Sequence, residues 1–369
     1  MATYKSIRYL VPDEVVEHTD SINALADVNT STVAPEIGQT LKWSAANSRW
    51  QPADIEESGS SGTEKAIFAF GDSYTGGNYQ SITNLVSNIG VVASDNTSVA
   101  GSTRSFITGA TYGGDKAIVG PGQMIGNGQS NDQNNILNLI SNTGVMASDT
   151  TISGVSGKMM MGASHYGNDK AIFGFGFSAD ADYSFNVLDE TNLVSNAGVM
   201  ASDTTGVGTA RGGLAAASYG GDKAIFGFGD NNSSVINTTN LVSNAGVVAS
   251  NSTGVGTARY DLAAAGYGGD KAIFGFGGGY SSYVSTTNLV SNNGVVATDT
   301  TGVGGAKSAL AAAGYGGDKA IFGFGRVNNS DTRTNITNLV SNTGVVASDT
   351  TGVGTARSGC EAAGYSSTA

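Results

Sequence analysis

Short apolar runs separated by glycine-rich clusters recur along most of the chain, and one phrase returns six times. Its fullest form is Asp-Lys-Ala-Ile-Phe-Gly-Phe-Gly. The lysine falls at Lys65, Lys116, Lys170, Lys223, Lys271 and Lys319, at spacings of 51, 54, 53, 48 and 48 residues. A second phrase, Asn-Leu-Val-Ser-Asn, begins at Asn84, Asn192, Asn240, Asn288 and Asn338, and reads Asn-Leu-Ile-Ser-Asn at Asn138.

Each repeat reads as four strands. Residues 310–315 are small and apolar and form the first; Gly316, Gly317 and Asp318 supply a tight turn, since glycine reaches positive φ without steric cost. Residues 319–325 are almost continuously apolar, the pattern of a strand covered on both faces. Residues 338–342 form the third strand, and residues 345–349 the fourth, after the turn at Thr343 and Gly344. A period near 50 with only strand signals predicts propeller blades and not a helical solenoid. Alanine and glycine dominate the first strand, which places it at the crowded axis, with bulkier strands outside. The repeats begin at Glu64 in a second strand and finish at residues 361–365 in a first strand. The last strand therefore completes the first blade, hiding edges that would otherwise aggregate. The expectation is an all-β, six-bladed propeller over residues 64–369, closed by its C-terminal strand.

Composition changes little in this picture. Fifty-five glycines against four prolines, with 39% apolar and 13% charged residues, suit a turn-rich β protein and not a disordered polyelectrolyte. A net charge of −12 argues against nucleic acid as a partner. Cys360 is the single cysteine and His18 and His165 the only histidines, so no disulfide framework, zinc site or other cofactor is expected. No charged-then-apolar leader precedes residue 30 and no run of 18 apolar residues occurs, so neither secretion signal nor membrane span is expected.

Residues 1–57 lack the repeat, and residues 58–63 read as a flexible linker. Residues 20–26 could form one or two helical turns. The phrases Thr40-Leu41-Lys42-Trp43 and Arg49-Trp50-Gln51-Pro52 look like arms of a short hairpin around Ala46 and Asn47. A segment this short buries too little surface to stand alone, so docking or self-association would supply the missing burial.

The order cation, small apolar strand, turn, apolar strand ending in glycines, variable loop and two further strands resembles the kelch and galactose-oxidase-like repeat. The fourth strand lacks the usual tryptophan, and the double glycine after strand two becomes Gly-Phe-Gly. The phrases Gly38-Gln39-Thr40-Leu41-Lys42-Trp43 and Trp50-Gln51-Pro52-Ala53-Asp54 resemble a segment of structural proteins of tailed phages, frequent in fibre and appendage proteins of marine phages. That resemblance implies a virion protein assembled in the host cytoplasm. Its residues 1–57 would attach to other virion proteins or make a homo-oligomer.

Candidate chemistry lies in the loops between strands two and three, where near-identical repeats differ most. Tyr74, Tyr79, Tyr183, Phe185, Tyr280 and Tyr283, among Asn, Ser and Asp, suit stacking on sugar rings and bonding hydroxyls, pointing to a host-surface glycan. Neutral drift in solvated loops is the bland account of the same variation. The same face carries a basic column just before each first strand: Arg104, Lys158, Arg211, Arg259, Lys307 and Arg357. These either bond carbonyls or an acid of a neighbouring blade, or form a cationic ring that attracts an anion. The strand-two lysines follow Glu64, Asp115, Asp169, Asp222, Asp270 and Asp318, which reads as paired hairpin ends. Asp349-Thr350-Thr351-Gly352 suggests calcium, but Asn251 replaces the acid in one counterpart, which favours a turn. Copper-oxidase ligands and the sialidase box are absent, and paired acids such as Asp180 and Asp182 are weak evidence without a defined separation. The expectation is a non-enzymatic fibre or appendage that displays its loops, with a capsid decoration or head-fibre protein second and a glycan hydrolase third.

Overall fold

The computed structural model describes residues 39–44, 48–54, 63–73, 78–97, 99–124, 132–179, 185–329 and 332–368. The chain divides into two compact units, Met1–Gly59 and Ser60–Ala369. In the first unit Gln39–Ser44 pairs antiparallel with Arg49–Asp54, Trp43 opposite Trp50, which is the hairpin that the two tryptophan phrases predict. Residues 20–26 and the linker at 58–62 lie outside the described residues.

Among the described residues of the second unit, regular structure is all strand, and every pairing is antiparallel. Repeats are numbered here by their strand-two lysine, from Lys65 to Lys319. Each forms a sheet in the order first, second, third strand. Repeat 5 is representative: Ala263–Tyr267, Lys271–Gly275 and Thr287–Val290, with Tyr267 opposite Lys271 and Phe274 opposite Asn288. The apolar run of strand two is buried on both faces; Ala272, Ile273 and Phe274 are all 0% exposed. Burying each such large side chain stabilises the fold by about 1.5–3 kcal/mol.

The repeat that begins in a second strand takes its first strand from the far end of the chain. Glu361–Tyr365 pairs with Lys65–Ala69, Tyr365 opposite Lys65, and the Glu64 N–H donates to the Ser366 carbonyl at 2.8 Å. Hairpin-to-hairpin hydrogen bonds of 2.7–2.9 Å link successive repeats. They run from Gly113 to Asp169, Gly167 to Asp222, Gly220 to Asp270, Gly268 to Asp318, Gly316 to Glu64 and Ser366 to Asp115. Small first-strand residues of all six repeats, Gly109, Ala163, Ala216, Ala264, Ala312 and Ala362, line one cavity of about 730 Å³ counted to its open end.

Each Gly-Phe-Gly explains its own departure from a double glycine. Phe70, Phe175, Phe228, Phe276 and Phe324 all lie in the left-handed region, at φ of 58° to 65°, where glycine is usual. Except for Phe70, whose next repeat has Val119, their rings pack edge-on against the strand-two phenylalanine of the next repeat, as in Phe228 on Phe274 (5.2 Å) and Phe324 on Phe68 (4.9 Å). Where the next repeat has that phenylalanine, the residue before is glycine by contact: a Cβ on Gly227 would stand 2.8 Å from the Phe274 ring, whereas Ala69 faces a repeat with Val119. Repeat 2 has Pro121 in place of the phenylalanine, and proline's fixed negative φ cannot take this conformation.

The fourth strand differs from expectation. Only repeat 2 keeps a piece of it, Thr150–Thr151; elsewhere it is reduced to isolated bridges such as Val340 to Val346 and Thr337 to Thr350. Between those bridges the Asn338 side chain donates to the Ala347 carbonyl and to Asp349 (3.0 and 2.9 Å), replacing ladder bonds with side-chain bonds. The same pair of bonds recurs at Asn84, Asn138, Asn192, Asn240 and Asn288.

Candidate ligand-binding site

The basic column is interior. Arg104, Lys158, Arg211, Arg259 and Arg357 are 0% exposed and Lys307 1%. Arg357 sets the pattern: its Nε donates to the Phe70 carbonyl (2.7 Å), Nη1 to the Thr355 carbonyl (3.2 Å) and Nη2 to Asn84 Oδ1 (2.7 Å). Its guanidinium also lies 4.0 Å from the Phe324 ring centre. The polar partners thus belong to the cation's own sheet, and the neighbouring repeat supplies the aromatic face. Arg104, Arg211, Arg259 and Lys307 stack likewise on Phe70, Phe175, Phe228 and Phe276 at 4.1–4.7 Å. A left-handed phenylalanine costs about 1–3 kcal/mol, and a desolvated cation–π contact returns about 2 kcal/mol. The stack offsets the backbone strain that positions it. Lys158, which faces Pro121's repeat, has ion pairs with Asp203 (2.6 Å) and Glu190 (2.9 Å).

The acids of the Asp-Thr-Thr-Gly phrase and its counterparts are part of this lock. Asp95 accepts from Asn84 and from the hydroxyl and amide of Thr355, and Asp299 does the same with Asn288 and Thr257. Those hydrogen bonds hold both carboxyls below the usual range although burial opposes them. Asn251 keeps the geometry in repeat 4, bonding Thr209 by both side-chain groups. No group of three or more metal-ligating side chains occurs among the described residues. At the hairpins Asp115, Asp169, Asp222, Asp270 and Asp318 each hold the following lysine at 2.7–3.0 Å.

A second set of six equivalent positions follows two residues after the cations: Phe106, Met160, Gly213, Asp261, Ala309 and Gly359. All adopt φ between 50° and 62°. Their backbones form one continuous series of hydrogen bonds. Phe106 N–H donates to Gly359, Gly359 to Ala309, Ala309 to Asp261, Asp261 to Gly213, Gly213 to Met160 and Met160 to Phe106, at 2.7–3.0 Å. The loops after strand two join this series through bridges that include Asp72 to Ser358, Ser105 to Gln123, Met159 to Phe177, Gly212 to Asp230 and Tyr260 to Gly278. The variable loops and these six positions therefore make one surface.

Polar and aromatic groups converge there. Tyr79, half-buried, donates to Gln123 Oε1 at 2.8 Å, and burial followed by the Asp72 charge pushes its phenol up to about 12. Arg333 pairs with Asp72 at 2.5 Å. Arg326 donates from Nε to the Ser358 hydroxyl (3.2 Å) and lies 5.7 Å from the Phe106 ring centre. Tyr280 is 64% exposed; its ring packs on Tyr260 (5.8 Å), and burial followed by Asp230 raises its phenol. Burial raises the Asp261 carboxyl to about 6, against the lowering effect of Arg326.

Of the loop residues expected to bind, Tyr280 and Tyr283 share a loop of repeat 5, where Gly278 bridges Tyr283 and the Tyr283 N–H donates to Asn329 (2.6 Å). Phe185 is exposed and packs edge-on against Phe177 (6.2 Å). Tyr74 and Tyr183 lie outside the described residues, as do Asp180 and Asp182. Phe106, Tyr260, Asp261 and Arg326 were not singled out by sequence. Aligning the repeats on their cations and reading two residues further would have found the position of Phe106 and Asp261.

The large cavity lies among the first strands, apart from these loops. His165 faces it with an unpartnered Nε2, and burial takes its imidazole down to about 4. Glu361 also lines it, and burial lifts that carboxyl to about 8. Thr63 bonds the Gly314 carbonyl (3.2 Å) and stands so close to Gly364 that a Cβ there would overlap it. Thr111, Ser164, Ser218, Lys271 and Lys319 line it too, but the walls repeat the same small residues, whereas the loop surface is where the repeats differ. Comparison with protein-family models gives no match to this chain, and comparison with curated proteins gives none either.

Proposed function

We propose that residues 64–369 are a six-bladed, kelch-like propeller and that the protein is a non-catalytic virion component of a phage, a fibre or appendage, whose loop face binds a host-surface glycan. The pairing of Glu361–Tyr365 with Lys65–Ala69 and the six hairpin-to-hairpin hydrogen bonds support six blades in a closed ring. One observation carries the binding role. Six repeats that keep a cation, the asparagine and, apart from Val119 and Pro121, the strand-two core differ at the positions of Phe106 to Gly359 and in the adjoining loops. Those places hold tyrosines beside acids and amides, the chemistry suited to stacking on a sugar and bonding its hydroxyls. The virion assignment rests on the Gly-Gln-x-Leu-x-Trp and Trp-x-Pro-Ala-Asp phrases, which fall on the Gln39–Ser44 and Arg49–Asp54 hairpin. Residues 1–57 would then attach the propeller to other virion proteins or to further copies of itself.

Binding of the full chain to a glycan array tests the first part, and antibody labelling of intact particles by electron microscopy tests the second. An array with no bound glycan overturns the binding role, and particles without label overturn the virion role. The buried column, each cation bonded within its own sheet, favours a second reading, a rigid knob that decorates a capsid; label on heads without glycan binding would select it.

A further inference from the structure

Building on the proposed glycan role, we infer that the loop face recognises an uncharged sugar chain, with the Asp261 carboxylate accepting hydrogen bonds from neighbouring ring hydroxyls and the exposed Tyr280 ring as the stacking surface. Three features of repeats 4 and 5 meet there. Tyr280 packs one side of its ring against Tyr260, near the Asp230 charge, which leaves an aromatic surface open to solvent. Such a platform loses little entropy when a sugar stacks on it. Asp261 follows Tyr260 directly, and no hydrogen bond to its carboxylate is made by the described residues, so its acceptor sites are available. Beneath it Gly213 has no side chain; a Cβ there would come within 3.1 Å of Asp261 Oδ1 and 3.2 Å of the Tyr260 ring, closing the space a hydroxyl would enter.

Charge selects the sugar class. The acids Asp72, Asp230 and Asp261 outnumber Arg326 and Arg333 on this surface, and the whole chain carries −12. A uronate or sialate would approach against both local and overall fields. An amino sugar would meet the charge of Arg326, which acts on Asp261 although burial outweighs it and raises that carboxyl. An uncharged hexose chain meets neither obstacle, and an ionised carboxylate accepting from a hydroxyl makes a strong, charge-assisted bond.

The test uses the full chain on an array that holds uncharged hexose oligosaccharides beside uronate- and sialate-bearing ones, followed by calorimetry with the best hexose oligosaccharide at pH 7.5 and pH 5. The expected result is binding to uncharged glycans only, about tenfold weaker at pH 5. Asp261→Asn should weaken binding at least tenfold at pH 7.5 and remove the pH dependence; asparagine tolerates positive φ as aspartate does, so its thermal unfolding should match the parent. Tyr280→Ala, at an exposed site, should weaken binding at least tenfold. Preferred binding of uronates or sialates, or unchanged affinity in Asp261→Asn, overturns this inference and leaves the glycan role standing. No binding to any glycan overturns both.

Discussion

Two residues separate a position where every repeat keeps a cation from one where the chemistry changes at almost every repeat: Arg104 and Phe106, Lys158 and Met160, Arg259 and Asp261. The backbone is as regular at the second position as at the first, with the same left-handed φ and the same hydrogen bond to the next repeat. What differs is where the side chain goes. The cation is sealed inside, in five repeats against an aromatic ring, and bonded to carbonyls or side chains of its own sheet, where a change leaves buried polar groups unpaired. The second side chain stands on a frame held by main-chain bonds, so its identity is open to other demands. Neutral drift would tend to favour glycine at φ near +55°, because Phe106, Met160 and Ala309 each pay strain there.

The contrast can be broken most forcefully from the framework side. Deleting residues 355–369 removes Arg357 and the strand paired with Lys65–Ala69, and should abolish cooperative thermal unfolding in calorimetry. Arg211→Ala, which strips Asn240 Oδ1 and the Thr209 carbonyl of their donor, should lower stability by about 3–5 kcal/mol in urea unfolding. Glu361→Gln should act through pH. Burial raises this carboxyl from an ordinary 4.5 to about 8, so its folded form favours the proton. Its stability is complete below pH 4.5 and is lost as pH rises towards 8. The parent should therefore melt at lower temperature at pH 8.5 than at pH 5, and the glutamine variant should lose most of that difference. The smallest effect belongs to the variable set: Phe106→Gly relieves a left-handed phenylalanine and should change stability by no more than about 1 kcal/mol in either direction. A loss as large as that of Arg211→Ala would erase the distinction between the two sets.

The strand phrases were legible because each carries a period and a turn: the apolar run after each Gly-Gly-Asp, the tryptophan hairpin, and the first strand stranded at residues 361–365 all lie where the pattern puts them. The fourth strand was misread because residues 345–349 have strand-like composition, and nothing in composition tells that Asn338 will take over its ladder bonds. The cation column was visible but its depth was not. Lysine and arginine normally report a solvated surface; burial here follows from the phenylalanine of the preceding repeat for five cations and from the Asp203 and Glu190 ion pairs for Lys158. Asp261 escaped notice for the opposite reason: a lone acid before a run of alanines looks like a turn residue until the backbone places it beside Tyr260 and Arg326.

The main-chain hydrogen bonds that pass from Phe106 through Gly359 and back have no first or last member. Each of the six sockets is held by its neighbours on both sides, so exchanging one side chain need not disturb the other five. A surface of this kind can change what it recognises by single substitutions, without inserting or lengthening a loop. A lineage facing a shifting target could retune its contact one repeat at a time while the sheets beneath stay as they are.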